Sequence, residues 1–531
     1  MLRHGKKSEI WQRYCGFVDL NIREYMAIQR KLLEEQLPRL AGCELGKVLM
    51  KGRAPRTVDE FRKTVPFTTY ADYLPYFSSQ REDVLPEKPV VWAHTSGRSG
   101  EVELKWIPYT KKIYDMIGDL AFSCFILAAA KSRGDVALPK KMRIPFFVAP
   151  APYVTGITIQ CMQDQVGFTV IPAVEKAVKM DFKERIQEAF RGSLSEGVDF
   201  FFGIPSVLLQ ISERFSRMGQ GGNSSSPKMK LPLKAILRIG KAVVKSKLKR
   251  RPLLPKDIWN VKAIVCGGTD TSIFTKKVTE SWGVRPLEGY MSTEFIVGGV
   301  QTWTRGGFVF YPNLIFWEFI TEKDYRTLMK DPTYIPRSYL MDELQPNTEY
   351  VVAGTSFHGG ALIRYIIGDL VKVVGLEDAK AGIHLPHLSF MTRIDGLIDV
   401  GGFTRLTEKI IWEAIENSGV PYAEWTIRKE SNADKPLLRL YLELNDGLQP
   451  SPDITDKIHA SLKQLDHNYR EMEELAGLKP LSVSVVSKGT FQRYYEERQA
   501  AGADFAHLKP PHVNASDKMI ENLLRMSSWK I

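Results

Sequence analysis

Hydrophobic and polar positions follow two patterns along the chain. Residues 8–80 read as helices broken by Pro, Gly and short polar turns. From about residue 88, short β-branched or aromatic runs alternate with amphipathic helical stretches. The runs include IPFFVAP (144–150), GFTVIPA (167–173), VDFFFGIP (198–205) and VKAIVCGG (261–268). This alternation predicts an α/β architecture with a substantial sheet. Residues 299–375 add GFVFYP, LIFWEFI, TEYVVAGTS and LIRYIIGDLVKVVG between turn signals, which predicts a β-rich subdomain. After MTRIDGLIDVGG (391–402) helix and strand patterns alternate again, with LLRLYLELN (437–445) and LSVSVVS (481–487), so a boundary is expected near Asp395. The expected organisation is a large N-terminal domain, 1–394, and a small C-terminal α/β domain, 395–531. The large domain has a helical start at 1–80 and its β-rich part at about 299–375.

The longest apolar stretch, Leu120–Ala130, is too short to span a bilayer, which takes about 20 residues, and reads as a buried helix. The N-terminus MLRHGKKSEIWQRY is basic without a following apolar core, so it does not read as a signal peptide. Hydrophobic residues make up 44% and charged residues 25%, which is ordinary for a globular protein. The formal charge of +12 favours anionic partners such as nucleotides, phosphorylated cofactors, nucleic acid or acidic lipid, without choosing among them. Five widely spaced cysteines without a CxxC pair exclude a disulfide framework or zinc site as the simple reading and point to a reducing cytoplasm.

A Gly/Ser-rich stretch, GQGGNSSSP (219–227), precedes a basic segment, KMKLPLKAILRIGKAVVKSKLKRR (228–251), with Leu, Ile and Val at partly helical spacing. It reads either as a solvated helical excursion or as a surface helix that touches anionic lipid, in peripheral membrane contact, or another anionic partner. Neither zinc-finger nor RNA-recognition signatures occur, and the aromatics are not interleaved with the basic cluster, so nucleic acid is not the expected partner.

Chemistry concentrates in a series of short stretches. Thr95-Ser96-Gly97-Arg98-Ser99-Gly100, followed by Lys105, supplies small hydroxyl residues and glycines whose N–H groups can approach phosphate oxygens, with a lysine beyond to neutralise charge. The order is not that of a Walker A loop. Read alone, the stretch is equally an ordinary turn. Gly267-Gly268-Thr269 ends the strand-like VKAIVCGG, where a flat base can lie against bare backbone. Gly289-Tyr290-Met291-Ser292-Thr293-Glu294 follows, with a tyrosine able to stack on a base, hydroxyls able to hold phosphate, and a carboxylate able to hold Mg²⁺. In Arg364-Tyr365-Ile366-Ile367-Gly368-Asp369, the two carboxylate oxygens suit a vicinal diol, and the bland alternative is a β-turn with Gly-Asp at its corner. Arg393-Ile394-Asp395, then Gly401-Gly402 and Glu408, reads by itself as a surface ion pair.

In this order the stretches resemble the motifs of the adenylate-forming superfamily: its TSGTTG-x-P-K loop, its YGxTE motif in the form YMSTE, its Y-R-x-G-D and its R-x-D hinge. The long helical start, YMSTE and the closing LKPP segment are most similar to the Gretchen Hagen (auxin-responsive promoter) branch of acyl acid–amido synthetases and their microbial relatives. Arg98 stands where the family pattern has a hydroxyl residue, two extra residues precede Lys105, and Ile366 takes the place of the motif's Arg. The resemblance implies an ATP- and Mg²⁺-dependent ligase with a mobile C-terminal domain. A carboxylic acid attacks ATP to give an acyl-adenylate and pyrophosphate, and an amino acid, an amine or coenzyme A then takes the acyl group. It further implies that Thr95, Ser96, Gly97, Ser99, Lys105, Gly267, Gly268, Thr269, Tyr290, Ser292, Asp369 and Arg393 bind the nucleotide. Thr293, Glu294 and Lys509 (in AHLKPPHV) are then catalytic, with Glu294 on the metal. FFGIPSVLLQ (201–210) resembles the wall of the acid pocket or is ordinary core. Amine and thiol acceptors stay open, as does a non-catalytic protein on a degenerate fold. No G-x-S-x-G elbow or HExxH pair offers a competing chemistry.

Overall fold

The computed structural model describes residues 6–94, 105–180, 182–203, 205–219, 233–267, 271–394, 398–400, 404–406, 408–432, 435–445, 449–476, 478–500 and 512–527. These residues divide into two compact units that change over between Ile394 and Asp395.

The first unit begins with helices Lys7–Cys15, Ile22–Gly42, Glu44–Leu49, Val58–Thr64 and Tyr70–Phe77. The longest, Ile22–Gly42, starts where the Asn21 side chain accepts from the N–H groups of Arg23 and Glu24, and Glu24 reaches back to close a capping box. Two buried glutamines fasten this helix to the sheet. The Gln29 amide donates to the carbonyls of Pro312 and Ile315 and accepts from the Trp317 N–H. Gln36 does the same at Gly360 and Gly359. Each amide thereby satisfies backbone groups that burial would otherwise leave unpaired.

Four short strands come first: β1 (Pro89–His94), β2 (Trp106–Thr110), β3 (Arg143–Pro145) and β4 (Thr169–Ile171). β1 pairs antiparallel with β2, and β3 pairs parallel with β4. The run IPFFVAP extends as a strand only to Pro145. Prolines at 145 and 150 lack the N–H groups a longer ladder needs.

The main sheet uses β5 (Phe200–Gly203), β6 (Ala263–Gly267), β7 (Leu287–Ser292), β8 (Ile296–Gln301), β9 (Phe308–Phe310), β10 (Ile315–Thr321), β11 (Ser338–Tyr339), β12 (Glu349–Ser356), β13 (Tyr365–Gly375) and β14 (His387–Arg393). Its order is β11-β10-β12-β13-β14-β9-β8-β7-β6-β5. The strands β5, β6 and β7 are parallel neighbours joined through helices, and the rest pair antiparallel. The β-rich stretch 299–375 is therefore hydrogen-bonded into the same sheet as the parallel strands, through β8, β9 and β14. The apolar run near residue 120 forms the helix Lys111–Ala129, buried without interruption from Leu120 to Ala128, as a helix that is apolar all round must be. Among the described residues no helix is long and apolar enough to cross a membrane.

The second unit contains a small hairpin of β15 (Ile398–Val400) and β16 (Thr404–Leu406). A three-stranded sheet follows, in which β17 (Tyr422–Asn432) pairs antiparallel with β18 (Lys435–Leu444), and β18 pairs parallel with β19 (Leu481–Val486). Leu438, Leu440 and Leu442 lie on one face of β18, in a core with Trp425, Ile411 and Ile458. Tyr441 packs on the opposite face against Phe491, Ile520 and Leu523, so period-2 alternation serves two apolar layers.

Candidate functional site

The segment Tyr290-Met291-Ser292-Thr293-Glu294 closes β7 and makes a tight turn into β8. The Ser292 hydroxyl accepts from the Phe295 N–H at 2.9 Å and so fixes the turn. Ile296, two residues beyond Glu294, adopts a φ of 56°, a conformation a β-branched residue rarely takes. On the other side the Tyr109 hydroxyl donates to the Thr293 carbonyl at 2.5 Å. Turn and neighbour together hold Glu294 in place, its side chain 7% exposed.

Glu294 Oε1 accepts from the Tyr365 hydroxyl at 3.2 Å and lies 3.9 Å from Lys105 Nζ. Lys105 immediately precedes β2. Its ammonium sits 5.1 Å from the centre of the Tyr70 ring, and the hydroxyl of that ring accepts from the Trp106 N–H. Thus β2 and the helix Tyr70–Phe77 deliver the lysine to the carboxylate.

Asp369 lies inside β13, beside a bulge where Leu370 and Val371 slip register, and not at the corner of a turn. Gly368 takes a φ of 84°, in the left-handed region, and a Cβ there would meet Arg393 Nη2 at 3.4 Å. The bulge puts Asp369 across from Arg393 on β14. Arg393 Nη1 is 3.6 Å from Asp369 Oδ1, and its Nη2 donates to the Ile367 carbonyl at 2.8 Å. The Tyr290 hydroxyl donates to Asp369 Oδ2 at 2.8 Å.

Tyr290 is thereby placed differently from the base-stacking role read from the sequence. Its ring is 4% exposed, stacked on Phe310 at 5.1 Å and flanked by Phe308 and Trp317. Burial, with the charge of Asp369, raises its phenol well above the ordinary range, so it acts as a donor that aims the carboxylate. At Gly267 a Cβ would lie 3.4 Å from Met291 Sδ, an ordinary contact, whereas a Cβ on Gly289 would fall 2.3 Å from Met291 Cε.

Arg364 settles the question raised by Ile366. It is fully buried, paired through two hydrogen bonds with the equally buried Glu318, and donates further to the carbonyls of Arg62 and Val65. Phe67 stacks 3.8 Å from its guanidinium. Its donors are spent inside the fold, so it does not substitute for the motif's arginine at a ligand. Ile366 is a core residue beside Leu370 and Val351.

The structure therefore joins Lys105, Ser292, Thr293, Glu294, Asp369 and Arg393 through Tyr290 and Tyr365. Glu294, Asp369 and Arg393 all act electrostatically on Tyr290. Thr95, Ser96, Gly97, Ser99, Gly268, Thr269 and Lys509 lie outside the described residues, as do Asp395, Gly401 and Gly402. Sequence reasoning missed Tyr70, Tyr109 and Tyr365 as positioning residues. Tyr365 stood inside a quoted stretch, but nothing in sequence spacing showed that its hydroxyl meets Glu294.

Three family models match the chain: the GH3 family N-terminal domain over residues 17–146, the central domain over 308–393 and the C-terminal domain over 407–518. In Oryza sativa subsp. japonica, the jasmonoyl–L-amino acid synthetase GH3.5 is 24% identical over 198 residues, covering 35% of this chain and 32% of that protein. The probable indole-3-acetic acid-amido synthetase GH3.2 of the same organism is 24% identical over 230 residues, covering 40% of this chain and 36% of that protein. The chain thus spans about a third of the length of the curated relatives it matches. In fold it is similar to AtGH3.15 acyl acid amido synthetase in complex with 2,4-DB, with a TM-score of 0.54, 18% identity, and coverage of 100% of this chain and 98% of that one. It is similar as well to 2-hydroxyisobutyryl-CoA ligase in complex with 2-HIB-AMP and CoA, with a TM-score of 0.54, 13% identity, and coverage of 87% and 86%.

Proposed function

The chain belongs to the GH3 family, and we propose that it is an ATP-dependent ligase that activates a carboxylic acid as an acyl-adenylate and passes the acyl group to an amine or amino acid. The observation that carries this reading is the convergence of Lys105 and Glu294 with Asp369 and Arg393 around two buried tyrosines. Such a site has cations for phosphate charge and an aimed carboxylate for a ribose diol.

A carboxylate is a poor acyl donor because oxide leaves badly. In the first step a carboxylate oxygen of the acid bonds to the α-phosphorus of ATP, and the bond to the departing pyrophosphate breaks. In the second step the amine nitrogen bonds to the acyl carbon, AMP leaves with the electron pair, and the nitrogen loses a proton. Lys105 neutralises developing phosphate charge, Asp369 accepts from the ribose hydroxyls, and Tyr290 and Arg393 keep Asp369 aimed. The phosphate-loop residues Thr95, Ser96, Gly97 and Ser99 and the glycines at 267–268 complete the nucleotide cradle with Thr269, Ser292 and Thr293. Lys509 supplies a second ammonium for the α-phosphate.

The donor set fits Mg²⁺ at Glu294. Among the described residues no group of three or more His, Cys, Asp or Glu assembles a metal cage, and Mg²⁺ takes one or two carboxylates with phosphate oxygens and water. Bound there, the ion would supply charge neutralisation on the phosphates. The amine acceptor follows the relatives, a jasmonoyl–L-amino acid synthetase and a probable indole-3-acetic acid-amido synthetase. The free thiols, four of them buried, suit a reducing cytoplasm.

The test is ATP–pyrophosphate exchange over a panel of carboxylic acids, followed by product analysis with amino acids or coenzyme A. Acid-dependent exchange and an amide product are expected. A thioester product would transfer the second step to a thiol, and no exchange or nucleotide binding with any acid would reject the ligase.

A further inference from the structure

The helix Leu233–Leu248 carries aliphatic side chains on two faces. It meets the body of the first unit with the buried Ala235, Ala242 and Ser246 and the half-buried Ile239 and Val243. A second set of large aliphatics points the other way. Leu233 is 72% exposed, Ile236 53%, Leu237 65%, Val244 59% and Leu248 80%. The spacing of Leu233, Leu237, Val244 and Leu248, with Gly240 between, is the i, i+4, i+7, i+11, i+15 series of a single helical face, and Ile236 borders it. No other helix or strand among the described residues carries more than one exposed large apolar side chain. A scattered exposed leucine needs no explanation, but a contiguous stripe marks a contact surface.

Charge names the partner. Between Glu213 and Asp257 the chain contains no acidic residue. Lys234 and Lys241 are exposed along one flank of the stripe, where Lys245 turns back to within 3.8 Å of Asp257; Lys247 borders its other edge, and Lys249 and Arg250 follow at its end. The helix is fixed with this face outward. Arg238 donates to the carbonyls of Ser193 and Leu194, which end the helix Phe182–Glu196, and Arg251 forms a two-point pair with Asp257. The close approach that Ala235 and Ala242 permit leaves no room to roll the stripe inward.

We propose that the outward face of Leu233–Leu248 docks the protein on an anionic lipid surface. The aliphatic stripe enters the boundary between headgroups and acyl chains. The lysines extend along it and keep their ammonium groups at the level of the lipid phosphates and carboxylates. A second copy of the chain on the same face would bring two lysine-flanked stripes together and set like charges against each other. A nucleic acid would match the lysines and leave the stripe in water. This placement goes beyond the ligase reading and does not depend on it.

The experiment is sedimentation of the full chain with vesicles of phosphatidylcholine alone or with about one-third phosphatidylserine. Binding to the anionic vesicles, weakened severalfold by raising salt from about 0.05 M to 0.5 M, is expected. Leu237→Asp with Val244→Asp should weaken it at least tenfold, and Lys241→Glu with Lys247→Glu should weaken it and flatten the salt dependence. These side chains are exposed, so thermal unfolding should not move. Loss of binding accompanied by a lowered melting temperature would call for Leu237→Ser with Val244→Ser, which must show the same loss at an unchanged melting temperature. The proposal is overturned if the protein ignores anionic vesicles at low salt, if the variants bind like the parent, or if ultracentrifugation shows a dimer that Leu237→Asp dissolves.

Discussion

The hydroxyl of Tyr290, a side chain buried against Phe310, donates to Asp369 Oδ2 at 2.8 Å. Strands β7 and β13 are not neighbours in the sheet, so this bond links two strands that no backbone ladder pairs. Removing the hydroxyl with Tyr290→Phe keeps the packing and deletes a hydrogen bond to a charged acceptor, worth about 1.5–3 kcal/mol. The Michaelis constant for ATP in acid-dependent pyrophosphate exchange should rise roughly tenfold with little loss of fold. An unaltered constant would show that Asp369 needs no aiming.

Glu294→Gln should lower exchange by about a hundredfold, the scale of losing a charged group that acts on the transition state. The amide keeps the volume and can still accept from Tyr365, so the melting temperature should change far less than the rate. Raising Mg²⁺ should recover part of the activity. A variant with parental rates at every Mg²⁺ concentration would remove Glu294 from the metal and from catalysis.

Arg364 and Glu318 are both fully buried and mutually hydrogen-bonded. Arg364→Met strands a buried carboxylate and should cost about 3–5 kcal/mol in urea unfolding. Adding Glu318→Leu should return much of that loss. Because neither side chain serves the candidate site, the folded double variant should keep its Michaelis constant for ATP. A large change in that constant would contradict the structural role.

Burial pushes the Glu288 carboxyl up from 4.5 to about 7. Its visible partner is Gln301, whose amide donates to it at 3.3 Å. Between these two values the folded chain binds a proton that the unfolded chain has released, so stability falls as pH rises from 4.5 to 7. Above 7 the penalty is complete, up to about 3 kcal/mol. Glu288→Gln should therefore raise the melting temperature at pH 8 and change little at pH 4.5. Equal shifts at both pH values would contradict this.

Lys509→Ala should slow exchange while leaving ATP binding, measured by calorimetry, intact. Exchange at the parental rate would mean the ammonium is not used in adenylation.

Much of the fold was legible because periodicity reports burial directly. The strand-like runs ending in VKAIVCGG, TEYVVAGTS, LLRLYLELN and LSVSVVS form β6, β12, β18 and β19. The run LIRYIIGDLVKVVG begins its strand only at Tyr365, because Arg364 takes a φ of 43° to enter its buried pair with Glu318. The β-rich stretch 299–375 did not reveal which strands it would join, since strand pairing follows long-range register and not local pattern.

The sequence by itself determined which residue types were available for phosphate, diol and metal chemistry, and in what order, because short-range spacing is written in the chain. The tertiary structure decided their tasks. It turned Tyr290 from a stacking surface into a hydrogen-bond donor, enclosed Arg364 with Glu318, brought Lys105 and Tyr365 to Glu294, and turned the aliphatic face of Leu233–Leu248 outward. Those outcomes depend on which distant side chains compete for the same space and the same hydrogen bonds, and that competition exists only once the chain has packed.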